Sequence, residues 1–476
     1  MIKTKIIATL GPASCHPDTL RALIDAGTNV FRINFSHGSF ADHGKTLKTL
    51  RQLQTDSKHI TAVMGDLCGP KIRTSRIEPD RQMLREGDQV TIVNSDQPGN
   101  AHRFGTNYQQ FVQDVKPGHR VLIDDGQILL QAISQDDNET VCRVLIGGPI
   151  KSRKGINLPD STVSAPSITE HDWKCVDWAI ENKLDFLALS FVRTPSELIR
   201  LKDYIHQKGS NIKVVSKIEK PEAVEHLEEI LRASDAVLVA RGDLGVEMDL
   251  AQVPLIQKRI TNMCRELGKP VIVATQMLQS MIESATPTRA EVSDVANAIM
   301  DLTDAVMLSG ETAVGKYPRA AITMINRIAQ ATEAYMDQID GVRPRVGTEK
   351  ELALIAALAR SVAQIIDDTN AKLVVAWSHT GVAARLLSKA RIDVPIIVFT
   401  PSKLTGRQMC FHYGVVPFCR PAPADIKELA EIADQVILEN RWAEPNDQII
   451  LLAGRPLTAP GTPNALMVHK VSIPPK

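Results

Sequence analysis

Val214-Val215-Ser216-Lys217-Ile218-Glu219, followed after a helical stretch by Ala236-Val237-Leu238-Val239-Ala240-Arg241-Gly242-Asp243, reads as two consecutive buried strands that end in charge. On a pleated strand Lys217 and Glu219 point to one side, while Val214, Ser216 and Ile218 point to the other. An ammonium and a carboxylate on one face of an apolar strand can satisfy each other as a buried pair. Asp243 changes that reading, because it reaches the end of the next strand as a second acid able to share a divalent cation with Glu219. Carboxylate oxygens of this kind suit Mg²⁺ or Mn²⁺ rather than zinc. The pattern predicts a metal-assisted site for an anionic substrate.

Working outward, short apolar runs recur at 5–10, 29–35, 61–66, 186–192, 213–219, 236–240, 270–275 and 305–309. Most are followed by helical periodicity, as at 19–26, 196–207, 223–233, 253–267 and 289–300. Eight strand-helix units predict a closed (β/α)₈ barrel. Arg32, Asn34, Ser36, Asp66, Ser190, Lys217, Glu219, Asp243, Thr275, Ser309 and Glu311 gather at the carboxyl ends of these strands, where that fold carries its active site.

The third and fourth strands are too far apart in sequence for one ordinary connection. Runs at 89–94, 120–124, 128–133 and 140–146 alternate like half-buried strands between Asp125-Gly126 and Asp136-Asp137-Asn138 turns, which predicts an inserted small β-barrel over 70–165. Gly69-Pro70, Pro159 and Pro166 read as hinges, so the insertion is placed as a lid over the barrel mouth. The catalytic barrel then takes 1–69 and 166–340. A polar, Pro-containing run through Gly347 marks the next boundary, and 348–476 is expected to be an open α/β domain: helix 351–366, strand 372–377, helix 382–390, strand 395–399, helix 427–438, strand 448–452 and a final stretch 465–473.

With 476 residues, 43% of them hydrophobic, the chain can fill several cores. Lys plus Arg and Asp plus Glu balance at 55 each, so no global field recruits nucleic acid or an anionic membrane. The start has no leader-like apolar segment and no apolar run approaches membrane-spanning length. The seven scattered cysteines form neither a zinc spacing nor a disulfide framework, and they read as reduced thiols of a cytoplasmic protein.

Arg32, Asn34 and Ser36 share one strand face, and an Arg fork beside neutral oxygens suits a phosphoryl group with a cation. Lys71 and Arg73 open the insertion; Arg73 either follows substrate phosphates as the lid closes or is a solvated surface charge. The Thr275 hydroxyl either orients a water for proton transfer or bonds the backbone. Thr286-Pro287-Thr288-Arg289-Ala290-Glu291 is helix-start grammar. Ser378-His379-Thr380-Gly381, between a strand and a helix, can receive a phosphate or be an ordinary capped loop.

The motifs Asn34-Phe35-Ser36-His37-Gly38, Gly65-Asp66, Gly69-Pro70, Arg153-Lys154-Gly155-Ile156-Asn157, Lys217-Ile218-Glu219, Ala240-Arg241-Gly242-Asp243-Leu244-Gly245, Ala274-Thr275-Gln276-Met277, Pro287-Thr288-Arg289-Ala290-Glu291 and Ser309-Gly310-Glu311-Thr312 stand in this order. Through them the chain resembles the pyruvate kinases over almost its whole length. That resemblance implies phosphoryl transfer from phosphoenolpyruvate to ADP, giving pyruvate and ATP, in a homotetramer. It implies Glu219 and Asp243 as Mg²⁺ ligands, Lys217 stabilising the phosphoryl group in flight, and Arg32 holding it. Backbone N–H groups around Gly242 and Asp243 would take the substrate carboxylate, Arg73 and Lys154 the nucleotide phosphates, and Thr275 would lie near the protonated carbon. Asn34, Ser36, Asp66 and the Leu67 carbonyl match a monovalent-cation region. Lys71 stands there where potassium-dependent members carry Glu, which implies the Lys-bearing branch that works without K⁺, while a start close to the barrel, without the extension of many animal members, implies a bacterial type. Ser378, Thr380 and Gly381 fall in the family's effector loop and imply a phosphorylated effector, although Ala383 replaces a hydroxyl residue of the animal loop.

Two other readings compete. A Mg²⁺-dependent lyase or aldolase would share Glu219, Asp243 and an Arg without needing Arg73, Lys154 or a lid. A metabolite sensor on a retired scaffold would not need the complete set of Lys217, Glu219, Asp243 and Thr275.

Overall fold

Parallel pairing closes eight short strands into a ring in the computed structural model, which describes residues 1–56, 60–338, 353–454 and 456–473. They are Lys5–Thr9, Val30–Asn34, Ala62–Asp66, Phe186–Leu189, Lys213–Ile218, Ala236–Ala240, Val271–Ala274 and Ala305–Leu308, and the first pairs with both the second and the last. Both faces of each strand are buried, so the runs read as continuously apolar. Ile7, Val30, Met64, Ala188, Val215, Leu238, Ile272 and Met307 fill the interior, whereas their neighbours Ile6, Phe31, Val63, Leu187, Val214, Val237, Val273 and Val306 pack under the helices. The fourth strand stops earlier than expected, because the chain turns at Phe191 with φ of 54°. The helix start read at Thr288 behaves as its sequence predicts, with Thr288 and Glu291 in a capping box, and Thr169 and Asp172 form a second one.

The insertion has its own core around Phe104, Phe111, Val121, Leu130 and Val144. Its main sheet has six strands in the order Ile156–Asn157, Arg120–Ile123, Ile128–Gln135, Glu139–Ile146, Gln89–Val93 and Arg103–Gly105. The two edges are joined through the segment around Arg73 and Thr74, which forms single bridges to Gly155 on one side and Thr106 on the other. The barrel is thus closed by a segment too short and irregular to leave an alternating pattern in sequence. A ribbon of Gln82–Leu84 and Gly148–Ile150 was also not foreseen.

After 339–352, which hold the expected boundary run and the start of the expected helix and lie outside the described residues, comes a five-stranded sheet. Its order is Val415–Cys419, Ile396–Thr400, Val374–Trp377, Gln448–Ala453 and Ala465–Lys470, the last strand antiparallel. Sequence reading missed Lys403–Gln408, a helix too short for periodicity, and the edge strand Val415–Cys419, broken by Pro417. This sheet's domain docks on the amino-terminal end of the barrel. Cys410 and Phe411 enter the barrel's inner cluster, and the Phe411 ring lies 4.1 Å from that of Phe186. Asp185, just before the fourth strand, accepts from Arg407 Nε at 2.5 Å, and Asp304, just before the eighth, contacts Lys389 Nζ and Arg391 Nη2, the latter at 3.2 Å. Among the described residues no helix is long and apolar enough to cross a membrane.

Candidate active site

Alternation along Lys213–Ile218 puts Lys217 inside the barrel mouth, and the turn that follows brings Glu219 back to it. Lys217 Nζ lies 2.7 Å from Glu219 Oε1, 2.7 Å from Ser190 Oγ and 3.4 Å from Asp66 Oδ1. Asp66 in turn accepts from Arg32 Nε at 2.7 Å, and Arg32 Nη1 donates to Thr9 Oγ1 at 3.1 Å. The expected grouping of Arg32, Asp66, Lys217 and Glu219 is therefore one connected cluster. Glu219 is 1% exposed and Asp66 2%, so the charges interact in a poorly screened setting.

Burial alone would lower the Lys217 ammonium, but Asp66, Glu219 and Asp243 outweigh it and raise its pKa, so Lys217 is a fixed positive charge. Burial would raise Asp66, yet Lys217 and Arg32 together hold its carboxyl below the ordinary carboxylate value. Glu219 goes the other way: burial, aided by Asp243, raises it in spite of Lys217. Three carboxylates thus face two cations, and the excess negative charge sits between Glu219 and Asp243. Glu219 Oε2 also accepts from the Phe191 N–H at 2.8 Å, which fixes the carboxylate's orientation. Hard oxygen donors with surplus charge fit Mg²⁺ or Mn²⁺. Among the described residues no group of three or more His, Cys, Asp or Glu forms a metal cage, so substrate oxygens would have to complete the shell, as is usual for Mg²⁺.

Asp243 lies in the first turn of the short helix Arg241–Glu247. That helix is anchored by Arg241, whose Nη1 and Nη2 grip Asp294 at 2.6 and 2.7 Å while Nη2 also donates to the Thr275 carbonyl at 2.8 Å. Thr275 and Gln276 both adopt positive φ, 71° and 55°, a strained pair at the end of the seventh strand. The Thr275 hydroxyl accepts from the Gly242 N–H at 2.8 Å and donates to the Ala274 carbonyl at 2.5 Å. Of its two sequence readings, this geometry displays the backbone-bonding one, and the Gly242 N–H is engaged rather than open.

In the monovalent-cation region, Asn34 Oδ1 accepts from the Ser36 N–H at 3.1 Å and the Leu67 carbonyl from Ser190 Oγ at 2.7 Å. Lys71 is exposed, forms no ion pair among the described residues, and lines the cleft between insertion and barrel with Asn157, Arg193, Lys220, Asp243 and Glu247. Asp66 is contacted by Arg32 and Lys217 instead. On the insertion, Arg73 Nη1 donates to the Arg153 carbonyl at 2.9 Å and Lys154 pairs with Asp124 at 2.8 Å; the Arg73–Gly155 bridge makes them neighbours. Ser378, Thr380 and Gly381 join the strand Val374–Trp377 to the helix Val382–Lys389, with the Gly381 N–H donating to Ser378 Oγ at 2.9 Å and Thr380 exposed. The Arg241–Asp294 grip, the Phe191 turn and Glu247 were missed. Only Glu247 left a trace in sequence, as an acid four residues after Asp243.

Comparison with known proteins agrees with this architecture. The family model "Pyruvate kinase, barrel domain" matches residues 1–322 and "Pyruvate kinase, alpha/beta domain" matches 356–469. The pyruvate kinase of Corynebacterium glutamicum is 38% identical over 467 residues, covering 98% of this chain and 97% of the relative. That of Staphylococcus aureus strain MRSA252 is 40% identical over 473 residues, 99% of this chain and 81% of the relative. A solved pyruvate kinase from Cryptosporidium parvum superposes with a TM-score of 0.91 at 35% identity, covering 99% of this chain and 96% of that one. With both domain models matched in order and relatives aligned from end to end, the chain belongs to the pyruvate kinase family.

Proposed function

We infer that this chain moves the phosphoryl group of phosphoenolpyruvate to ADP, releasing pyruvate and ATP, at the mouth of the barrel. The observation that carries the reading is Lys217 held among Asp66, Ser190 and Glu219, with Arg32 and Asp243 alongside. The bond between phosphorus and the enol oxygen breaks, and a new one forms to a terminal phosphate oxygen of ADP. The electron pair left on the enolate oxygen is passed to carbon as a proton arrives.

Lys217, charged at any working pH, sits where the phosphoryl group is in flight and Arg32 where it starts, so the chain's contribution is positioning and electrostatic stabilisation. Bound by Glu219 and Asp243, Mg²⁺ or Mn²⁺ would neutralise charge on the phosphoryl and enolate oxygens. The substrate carboxylate would take the N–H groups of Gly242 and Asp243. Taking the first displaces the Thr275 hydroxyl, which frees it to hold a water near the carbon to be protonated. Arg73 and Lys154 would reach the ADP phosphates from the lid.

The finer readings rest on the resemblance. They are a division at 70–165 and 348–476, a homotetramer, a cytoplasmic setting, a phosphorylated effector at Ser378, Thr380 and Gly381, and a Lys-bearing branch in which Lys71 replaces K⁺ near Asn34, Ser36, Asp66 and Leu67. For Lys71, the chemical support is a positive charge in the same cleft. The test is pyruvate formation from phosphoenolpyruvate with ADP and Mg²⁺ omitted in turn, without and then with K⁺. Turnover that needs both ADP and Mg²⁺ supports the kinase over a lyase or a sensor, no turnover overturns it, and strong K⁺ activation overturns the Lys71 reading alone.

A further inference from the structure

The reaction outlined above does not use Glu247, a buried acid of the mouth. Glu247 closes the short helix in which Asp243 sits, four residues on and so along the same face, and it is 4% exposed. Its Oε1 accepts from Lys220 Nζ at 2.6 Å and from Asn157 Nδ2 at 2.7 Å, while its Oε2 is buried without a hydrogen-bond partner. Lys220 directly follows Glu219. Asn157 belongs to the lid's edge strand Ile156–Asn157. One carboxylate oxygen therefore joins three segments: the end of the fifth barrel strand, the helix carrying Asp243, and the lid. The cleft between lid and barrel, with a cavity of about 40 Å³, is lined by Asn157, Lys220, Asp243 and Glu247 together.

We propose that Glu247 is a positioning residue: with Lys220 it braces the two metal-binding carboxylates at a fixed separation, and through Asn157 it ties that separation to the seat of the lid. The proposal rests on the assignment of Glu219 and Asp243 as the metal pair. A carboxylate buried this deeply with a single cation partner is held rigidly, since losing the cation would leave it uncompensated. Asn157 contributes one hydrogen bond from a neutral donor and belongs to the lid alone, so its removal cuts the lid arm and leaves the Lys220–Glu247 pair standing.

The full chain is tested as N157A, K220M, K220R and E247Q. Three readouts are taken: the kinetics with ADP and phosphoenolpyruvate, the affinity for Mn²⁺ alone by magnetic-resonance titration, and amide hydrogen exchange across the lid's edge strand. N157A is expected to lower kcat/KM for ADP on the order of tenfold and to speed exchange at Ile156 and Asn157, with Mn²⁺ affinity unchanged within about twofold. K220M and E247Q are expected to weaken Mn²⁺ binding about tenfold as well, and K220R to recover most of it. A folded K220M with wild-type Mn²⁺ affinity and kinetics, altered only in thermal stability, overturns the brace. An N157A protein with wild-type ADP kinetics and exchange overturns the lid arm, and with it the proposal. If E247Q does not fold, K220M and N157A give the answer. Wild-type turnover in the same preparation reports separately on the reaction, and an inactive wild type would count against that reading while Mn²⁺ titration and exchange still decide on the brace.

Discussion

The two ends of the barrel both bury charge, and they use it in opposite ways. At the amino-terminal end Asp185 and Asp304 precede the fourth and eighth strands, accept from the Val63 and Val271 N–H groups, and are met by Arg407, Lys389 and Arg391 from the carboxyl-terminal domain. Phe411 seals the ring behind them. At the carboxyl-terminal end Asp66, Glu219 and Asp243 outnumber Arg32 and Lys217, and the surplus is left facing the lid cleft. Saturated charge holds two domains together; unsaturated charge binds a ligand. A barrel strand that begins with a paired acid is being docked, and one that ends with an underpaired acid is being prepared for chemistry.

The contrast can be broken most heavily from below. Asp304→Ala leaves Lys389 and Arg391 buried without their counter-charge, and the expected loss is about 3–5 kcal/mol of unfolding free energy in urea titration. A loss under ~1 kcal/mol would mean that the docking end is not saturated in the sense described.

From above, Lys217→Met should lower kcat on the order of a hundredfold, about 2.7 kcal/mol of barrier, in a coupled assay of pyruvate release. Its urea midpoint should move less than that of the Asp304 variant, because Asp66 keeps Arg32 and Glu219, already raised by burial and by Asp243, can take a proton once its cation is gone.

Acid separates the two ends again. Burial, with Arg385 and Lys389 nearby, pushes His412 at the docking end down from 6.5 to about 3, against the pull of Asp304. The unfolded chain therefore takes up a proton below pH 6.5 that the folded chain refuses, so stability is complete above that pH and falls as pH drops toward 3. The slope is about 1.4 kcal/mol per unit, or roughly 2 kcal/mol between pH 6.5 and 5. His412→Gln should flatten this limb in urea titrations at pH 7 and pH 5. The mouth does not share it. Asp66 is depressed below its ordinary 3.8, so its contribution is complete above that value and lost only as pH falls through the lower folded one.

The smallest effect belongs to the lid. Lys154 is about a third exposed and pairs with Asp124 at 2.8 Å, a pair worth under about 1 kcal/mol. Lys154→Ala should raise KM for ADP roughly threefold without moving the urea midpoint, and an equal rise in KM for phosphoenolpyruvate would place the lysine elsewhere.

Much of the mouth was legible because periodicity is local. Two residues apart on a strand means one face, and Glu219, although it lies one residue past the strand's end, does meet Lys217 at 2.7 Å. The eight apolar runs were readable for the same reason. The docking end was not, because its partners are distant in sequence: Arg407 lies 222 residues from Asp185 and Lys389 lies 85 from Asp304, and neither acid stands out from an ordinary polar residue ahead of a strand. The segment that closes the lid sheet and the helix Lys403–Gln408 were too short to carry a period.

By itself the sequence determined the eight barrel strands, their buried faces, and which charged side chains arrive at which of their ends, since these follow from alternation and from the order of the chain. Tertiary structure alone decided which charges are saturated. It turned Phe191 so that its N–H fixes Glu219, set the Thr275 hydroxyl on Gly242, and brought Asn157 from the lid onto Glu247. Partner choice depends on distances between segments far apart in the chain and on how deeply they are buried together, and neither quantity is written in any local pattern of residues.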